Sequence, residues 1–316
     1  MNNKIVFFGT GDVAAESLEL LAQSFEIEVV ITKPKPEHYK GNFPVIDVAN
    51  AIKSPLLYVT NTADVSQKII GGGFESRVAV LIDFGIIVSR DVIDAFRLGI
   101  INSHFSLLPE LRGADPITFA LLSGQKQTGV SLMKLVEKMD EGPLLGFGIQ
   151  EEIDTLTTPG LTDKLIQLSY TLLSDLLPEY IEGKTHADMV QTDIHTQISG
   201  YPSEPSYSRK LTKVDGILDF TKSAEQLERE IRAFIEWPKS RTIIAGKDVV
   251  VTKAHVETSD GYNNAGDPGT AFQHMKQLYV QTSQGVLVID KLKPAGKSEM
   301  DGHAFLSGYG KTLAKD

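Results

Sequence analysis

At 316 residues, with 41% hydrophobic and 23% charged side chains, the chain is long enough for two ordinary domains and has the composition of a soluble globular protein. The absence of cysteine excludes a disulfide framework, a thiolate metal site and a thiol nucleophile. A formal charge of −10 argues against a protein that coats nucleic acid, but the charge is uneven: residues 206–316 balance at +2 and residues 1–205 at −12, so the C-terminal third is the part that tolerates a polyanion.

The apolar run Ile5 to Phe8 directly after the N-terminal polar residues reads as a first strand rather than a signal peptide, and no apolar run approaches the roughly 18 residues of a membrane span. A cytoplasmic location is expected. Gly9-Thr10-Gly11-Asp12 follows, and Val13 to Ala22 continues with helical spacing. Ile27 to Thr32 is a second strand, Val45 to Ala51 a helix and Leu56 to Val59 a third strand. Val78 to Ile82 and Gly99 to Asn102 add two strands, separated by a helix over Ser89 to Phe96. Strands alternating with helices at this spacing predict an α/β domain with a doubly wound, mostly parallel sheet and sites at the carboxyl ends of its strands.

Pro116 to Ser123 reads as a helix closed by Gly124, Gly129 to Leu135 as a strand, and Leu161 to Leu177 as a long amphipathic helix that Leu176 to Ile181 extends. From His186 to Pro205 the apolar pattern fades into Thr, Gln, Ser, Gly and Pro, the composition of a linker. Beyond it Ala224 to Phe234 forms a helix, and short runs over 242–244, 247–255, 277–282 and 285–293 alternate with turn residues. That pattern predicts a smaller, OB-like β-barrel domain. The expected division is a first domain over 1–189, a linker over 190–205 and the barrel-like domain over 206–316.

Gly9-Thr10-Gly11-Asp12-Val13-Ala14 fits a dinucleotide fingerprint in the expected place, but the second strand ends in Ile31-Thr32-Lys33-Pro34, with no carboxylate for a ribose. The glycines then permit a tight turn and close helix packing, or let another substrate approach the backbone. The stronger signal is Asn102-Ser103-His104. In an extended segment residues i and i+2 share a side, so an amide and an imidazole face one reacting atom together. A lone histidine is more often structural, and Asp140-Glu141-Gly142 reads equally as a plain turn or as the loop that supplies a carboxylate to orient the ring. No Gly-x-Ser-x-Gly elbow is present, which disfavours an acyl-enzyme. What remains for Asn, His and Asp is direct attack by a substrate's own nucleophile on a carbonyl, the amide steadying the oxyanion and the imidazole moving a proton.

Asn102-x-His104, Ser106-Leu107-Leu108-Pro109, Arg112-Gly113-x-x-Pro116-Ile117 and Asp140 in a Met-Asp-x-Gly loop resemble the family of 10-formyltetrahydrofolate-dependent formyltransferases. The Arg-Gly-x-x-Pro-Ile extension is similar to the branch acting on charged initiator tRNA, and the likeness covers nearly the whole chain, from Phe8-Gly9-Thr10 to Gln226 through Phe234, Trp237-Pro238 and Leu292-x-Pro294-Ala295-Gly296-Lys297-x-x-Met300. The resemblance implies transfer of formyl from 10-formyltetrahydrofolate to the α-amino group of methionine on initiator tRNA, without a metal, by a monomer. It implies Asn102, His104 and Asp140 as the catalytic trio, and Ser106, Leu107, Leu108, Pro109, Phe84 and Gly85 at the folate. Gly9, Thr10, Arg112, Lys33, Lys35 and Lys40 are expected on the tRNA side, with Tyr39 or Phe43 as a stacking partner for a base. The rival within the family is a folate-dependent amino-sugar N-formyltransferase, against which the C-terminal Pro-Ala-Gly-Lys stretch argues. Two departures stand out: the loop over 33–44 is shorter than is usual in the family, and the folate-side loop reads Asp83-Phe84-Gly85 where Ala-Tyr-Gly is more usual.

Overall fold

In the computed structural model, which describes residues 3–38, 41, 43–198, 204–257 and 266–315, contacts gather the chain into two units. The first holds residues 1–116, 127–151 and 162–208; the second holds 117–126, 152–161 and 209–316. Along the chain run β1 (Lys4–Phe8), α1 (Asp12–Leu21), β2 (Glu26–Thr32), α2 (Pro44–Ala51), β3 (Leu56–Tyr58), α3 (Thr62–Ile70), β4 (Ala79–Leu81), α4 (Arg90–Asp94), β5 (Ile100–His104) and β6 (Arg112–Gly113). Then come α5 (Pro116–Ser123), β7 (Gln127–Lys134), β8 (Leu144–Glu151), α6 (Thr158–Glu182), α7 (Ile194–Gln197) and β9 (Tyr207–Ser208).

The first sheet has the order β3-β2-β1-β4-β5-β7-β8. Its first five strands are parallel, and β7 and β8 are added antiparallel, giving the mostly parallel sheet that the alternation predicts. Val6, Phe8, Ile31, Ala79 and Ile100 form one core with Val65 and Ile69 of α3 and Val92 of α4. At 25 residues α6 is a single helix that carries Pro178 within it, and it lies against β8 so closely that a Cβ at Gly148 would meet Leu168 at 2.8 Å. The stretch expected as a linker contains α7 and a 3-10 turn over Gln191–Asp193, with Ile194 fully buried. Among the described residues no helix is long and apolar enough to cross a membrane.

The second unit contains α8 (Ala224–Ala233), β10 (Ser240–Ile244), β11 (Lys247–Glu257), β12 (Ala271–His274), β13 (Gln277–Gln281), β14 (Val286–Pro294), β15 (Met300–Asp301), α9 (Gly302–Tyr309) and β16 (Ala314–Lys315). Its strands are ordered β10-β11-β14-β13-β12-β16, antiparallel except for the last pair. Register shifts around Lys253 break the long β11/β14 pairing, the kind of bulge that bends a strand over a core. That core joins Leu227 and Ile231 of α8 and Phe305 of α9 to Leu278, Val280, Leu287 and Ile289, the arrangement of a small barrel-like domain.

Candidate active site at the carboxyl end of the fifth strand

The site grows from β5, which lies between β4 and β7. Leu81 of β4 pairs with Asn102, and Ser131 of β7 pairs with His104. The strand was expected to end at Asn102; antiparallel pairing with β7 carries it two residues further, so His104 is a strand residue and its ring shares the face of Asn102. Asn102, His104 and Asp140 are all buried.

His104 Nδ1 lies 3.8 Å from Asp140 Oδ1, and Nε2 lies 3.0 Å from the Leu111 carbonyl oxygen. The first distance is too long for a hydrogen bond and is an ion pair only when the ring is protonated, and catalytic contacts of this kind commonly tighten when substrate is bound. The other oxygen, Asp140 Oδ2, accepts the Gly113 N–H at 2.7 Å, which fixes the carboxylate to the strand that follows the turn after β5. Asp140 itself adopts φ 54°, and Leu111 also adopts φ 54°, a left-handed conformation that costs a bulky residue about 1–3 kcal/mol and gathers at functional sites.

Gln191, which sequence reasoning missed, holds this loop by hydrogen bonds. Its Nε2 donates to the carbonyls of Asp140 at 2.7 Å and Gly142 at 2.9 Å, and its Oε1 accepts from Arg112 Nη2 at 2.7 Å. A glutamine within a Thr, Gln and Ser-rich stretch carries no signal of this task. Arg112 also approaches Glu141 at 3.4 Å, so the guanidinium anchors the Asp140 loop.

The turn after β5 is held by one hydroxyl of its own and one from β7. Ser106 Oγ donates to the Glu110 carbonyl at 2.6 Å, and Ser131 Oγ donates to the Ser106 carbonyl at 2.8 Å and accepts the Leu108 N–H at 3.0 Å. Leu107 and Leu108 are fully buried against Met133, Leu144 and Ile194, and Leu108–Pro109 is a cis peptide. What this turn can offer a ligand is its main chain. Phe84 is buried edge-on against Phe8, with ring centroids 5.3 Å apart, and Gly85 is open: a Cβ there would meet only Lys33 Nζ, at 3.3 Å.

The glycine turn after β1 serves packing. A Cβ at Gly9 would press on Ala14 and Phe7 at 2.6 Å, and Thr10 donates its N–H and hydroxyl to the Asp83 carbonyl at 3.0 and 2.8 Å. Lys33, expected on a phosphate, places its ammonium on the Gly85 carbonyl at 3.1 Å. Lys35 is exposed beside a cavity of about 450 Å³ that Pro34, Phe43, Ile46, Asp47 and Tyr58 also line. Tyr39 and Lys40 lie outside the described residues.

Residues 3–176 match the model of the formyl transferase family, and residues 210–310 match that of the formyl transferase C-terminal domain. The chain belongs to the formyl transferase family. It is similar to a methionyl-tRNA formyltransferase of Listeria monocytogenes, 30% identical over 99% of this chain and 97% of that one. A methionyl-tRNA formyltransferase of Myxococcus xanthus is 32% identical over 97% and 95% of the two chains. A crystal structure of an N-formyltransferase from Helicobacter canadensis, in complex with folinic acid and dTDP-3-aminofucose, superposes with a TM-score of 0.66 at 16% identity over 92% of this chain and 98% of that one, a likeness of fold.

This formyl transferase is an enzyme that takes its formyl group from formyl-tetrahydrofolate. The residues present fit such a donor: a pterin is flat and carries amide-like donors and acceptors on its edge, and the main chain at Gly85 is bare except for the Lys33 ammonium that rests on its carbonyl. Among the described residues no group of three or more His, Asp and Glu side chains is arranged to hold a metal ion.

Proposed function

We propose that this enzyme transfers formyl from 10-formyltetrahydrofolate to the α-amino group of methionine esterified to initiator tRNA. The observation that carries the chemistry is the approach of Asp140 to His104 on the face that Asn102 shares. The neutral amine attacks the formyl carbon, and a new C–N bond forms as the carbonyl oxygen gains charge. Asn102 Nδ2–H donates to that oxygen, a contact that is stronger in the transition state than before it. His104 takes the proton from the attacking nitrogen and returns it to the departing folate nitrogen, so the old C–N bond breaks without expelling an amide anion. For this transfer Nε2 exchanges the Leu111 carbonyl, its neighbour at 3.0 Å in the free enzyme, for the reacting nitrogen, while Nδ1 keeps facing Asp140. Asp140 orients the ring and offsets its charge.

Support for the tRNA acceptor comes from the full-length similarity to methionyl-tRNA formyltransferases and from the cavity beside the 33–44 loop. There Phe43 and Tyr58 supply aromatic faces for a base and Lys35 a cation for a phosphate. Gly9, Thr10 and Arg112 bear on the acceptor side indirectly, through the loops they hold. The test is an assay of the purified protein with 10-formyltetrahydrofolate and two acceptors, charged initiator tRNA and a nucleotide-linked amino sugar. Formylmethionine on the tRNA is the expected product. Turnover of the sugar alone rejects the reading.

A further inference from the structure

Loop 83–85 is fastened from two sides. Thr10 holds the Asp83 carbonyl, and Lys33 holds the Gly85 carbonyl. Between these fastenings the Asp83 carboxylate sits on the glycine turn, where a Cβ at Gly11 would collide with Oδ2. Gly11 has an ordinary negative φ of −98°, so the glycine here makes room for the carboxylate and is not demanded by the backbone. In a strand, glycine turn and helix, this is the position where a dinucleotide's phosphate would meet main-chain N–H groups; here the protein supplies its own anion.

That anion is held against opposition. Asp83 adopts φ 47°, and its pKa is raised to about 6. Desolvation of the carboxylate against the glycine turn is the largest cause, although the residue as a whole is exposed; Asp12 at the start of α1 and Asp115 after β6 push in the same direction. Lys33 and the Gly11 N–H pull the other way. Ionised, Asp83 is drawn to the Gly11 N–H on which it is packed and attracts the lysine that grips Gly85. Protonated, it does both less strongly.

We propose that Asp83 is a positioning residue of the formyl-transfer reaction, its carboxylate seated on Gly11 so that the Phe84–Gly85 main chain is fixed against the folate donor. This rests on placing the donor at Gly85. The variants Asp83→Ala and Asp83→Asn test the latch, and Gly85→Ala, which adds a methyl to the open main chain, tests the donor's placement. Asp83→Ala is expected to raise KM for 10-formyltetrahydrofolate about tenfold, with a smaller change in kcat and none in KM for the acceptor. For Asp83→Asn, donor KM relative to the native enzyme is raised well above pH 6 and falls towards one below it, where the native residue is itself neutral. A merely structural role does not give that pH-dependent ratio. If Gly85→Ala raises donor KM and Asp83→Ala does not, the latch is wrong while the donor's placement stands. If neither variant alters donor KM, the placement fails and the latch with it. Should Asp83→Ala not fold, the pH dependence of the Asp83→Asn ratio decides, and a flat ratio overturns the proposal.

Discussion

Asp83 follows β4 and Asp140 follows β7, both in left-handed turns of the first unit, with φ 47° and 54°. Each rests against a glycine main chain, Gly11 in one case and Gly113 in the other. They differ in what stands opposite. Asp140 faces an imidazole, so its charge gains when the ring takes up a proton. Asp83 faces two further carboxylates, so its charge gains nothing except through the main chain and the nearby Lys33. In the proposed reaction the same side chain in the same backbone conformation would thus orient a proton carrier at one loop and brace a wall at the other. Asparagine tolerates the left-handed region as aspartate does, so the Asn variants separate charge from shape at both positions.

The largest effects belong to the Asp140 side. His104→Ala is expected to lower kcat by about 10²–10⁴ and Asn102→Ala by about 10²–10³, each with little change in donor KM. Asp140→Asn keeps an oxygen for the Gly113 N–H but loses the charge opposite the ring, and a drop in kcat of about 10² with an altered pH–rate profile is expected. Steady-state kinetics across pH checks all three. Native kcat in Asp140→Asn reduces Asp140 to a turn residue.

What could be read from the sequence was what repeats locally. Asn102 and His104 stood out because a period of two follows an apolar strand, and the α/β alternation gave the first sheet. The reach of β5 to His104 was hidden because Ser103 and His104 are polar; β7, not propensity, keeps them extended. β8 was missed because Gly146 and Gly148 thin its pattern, and those glycines are required by Leu176, Leu168 and Leu172 of α6, a contact no local window contains. α3 has a readable start, Asn61 accepting the Asp64 N–H with Val65 and Ile69 one turn apart, but its short apolar stripe is weak beside the strands that flank it. Gln191 could not be found at all: its partners are carbonyl oxygens of a distant loop, and carbonyls carry no sequence identity.

Gln191 therefore gives the next sharpest test. Gln191→Ala removes both bonds to the Asp140 loop and the acceptor for Arg112, and it is expected to lower kcat about tenfold and to reduce thermal stability, leaving donor KM unchanged. A change in donor KM instead would tie this amide to the folate wall. On the acceptor side, Tyr58→Ala is expected to raise KM for charged tRNA by a factor consistent with about 1–3 kcal/mol of stacking. Lys35→Ala has a smaller effect, about threefold in the same KM with a salt slope reduced by about one. Uniform loss across donor and acceptor in either variant marks a folding defect rather than a contact.

The smallest effect reads Asp83 without any substrate. Its pKa rises from 3.8 towards about 6 on folding, so between those values the native state binds the proton that the unfolded chain has lost. Stability from this group is therefore gained as pH falls through about 6 and is absent above it, the reverse of a salt-bridged carboxylate. Asp83→Asn removes the opposed charge, so well above pH 6 it should melt higher than the native protein, by a margin that solvent screening of this exposed residue keeps small, on the order of 2 °C. The margin should close on acidification towards pH 4, where the native residue is neutral as well. A variant that is more stable yet holds the donor less tightly above pH 6 shows a charge kept for function against the fold's preference. If Asp83→Asn instead melts lower above pH 6, the carboxylate is a net support of the turn, and its opposition by Asp12 and Asp115 has been outweighed by Lys33 and the Gly11 N–H.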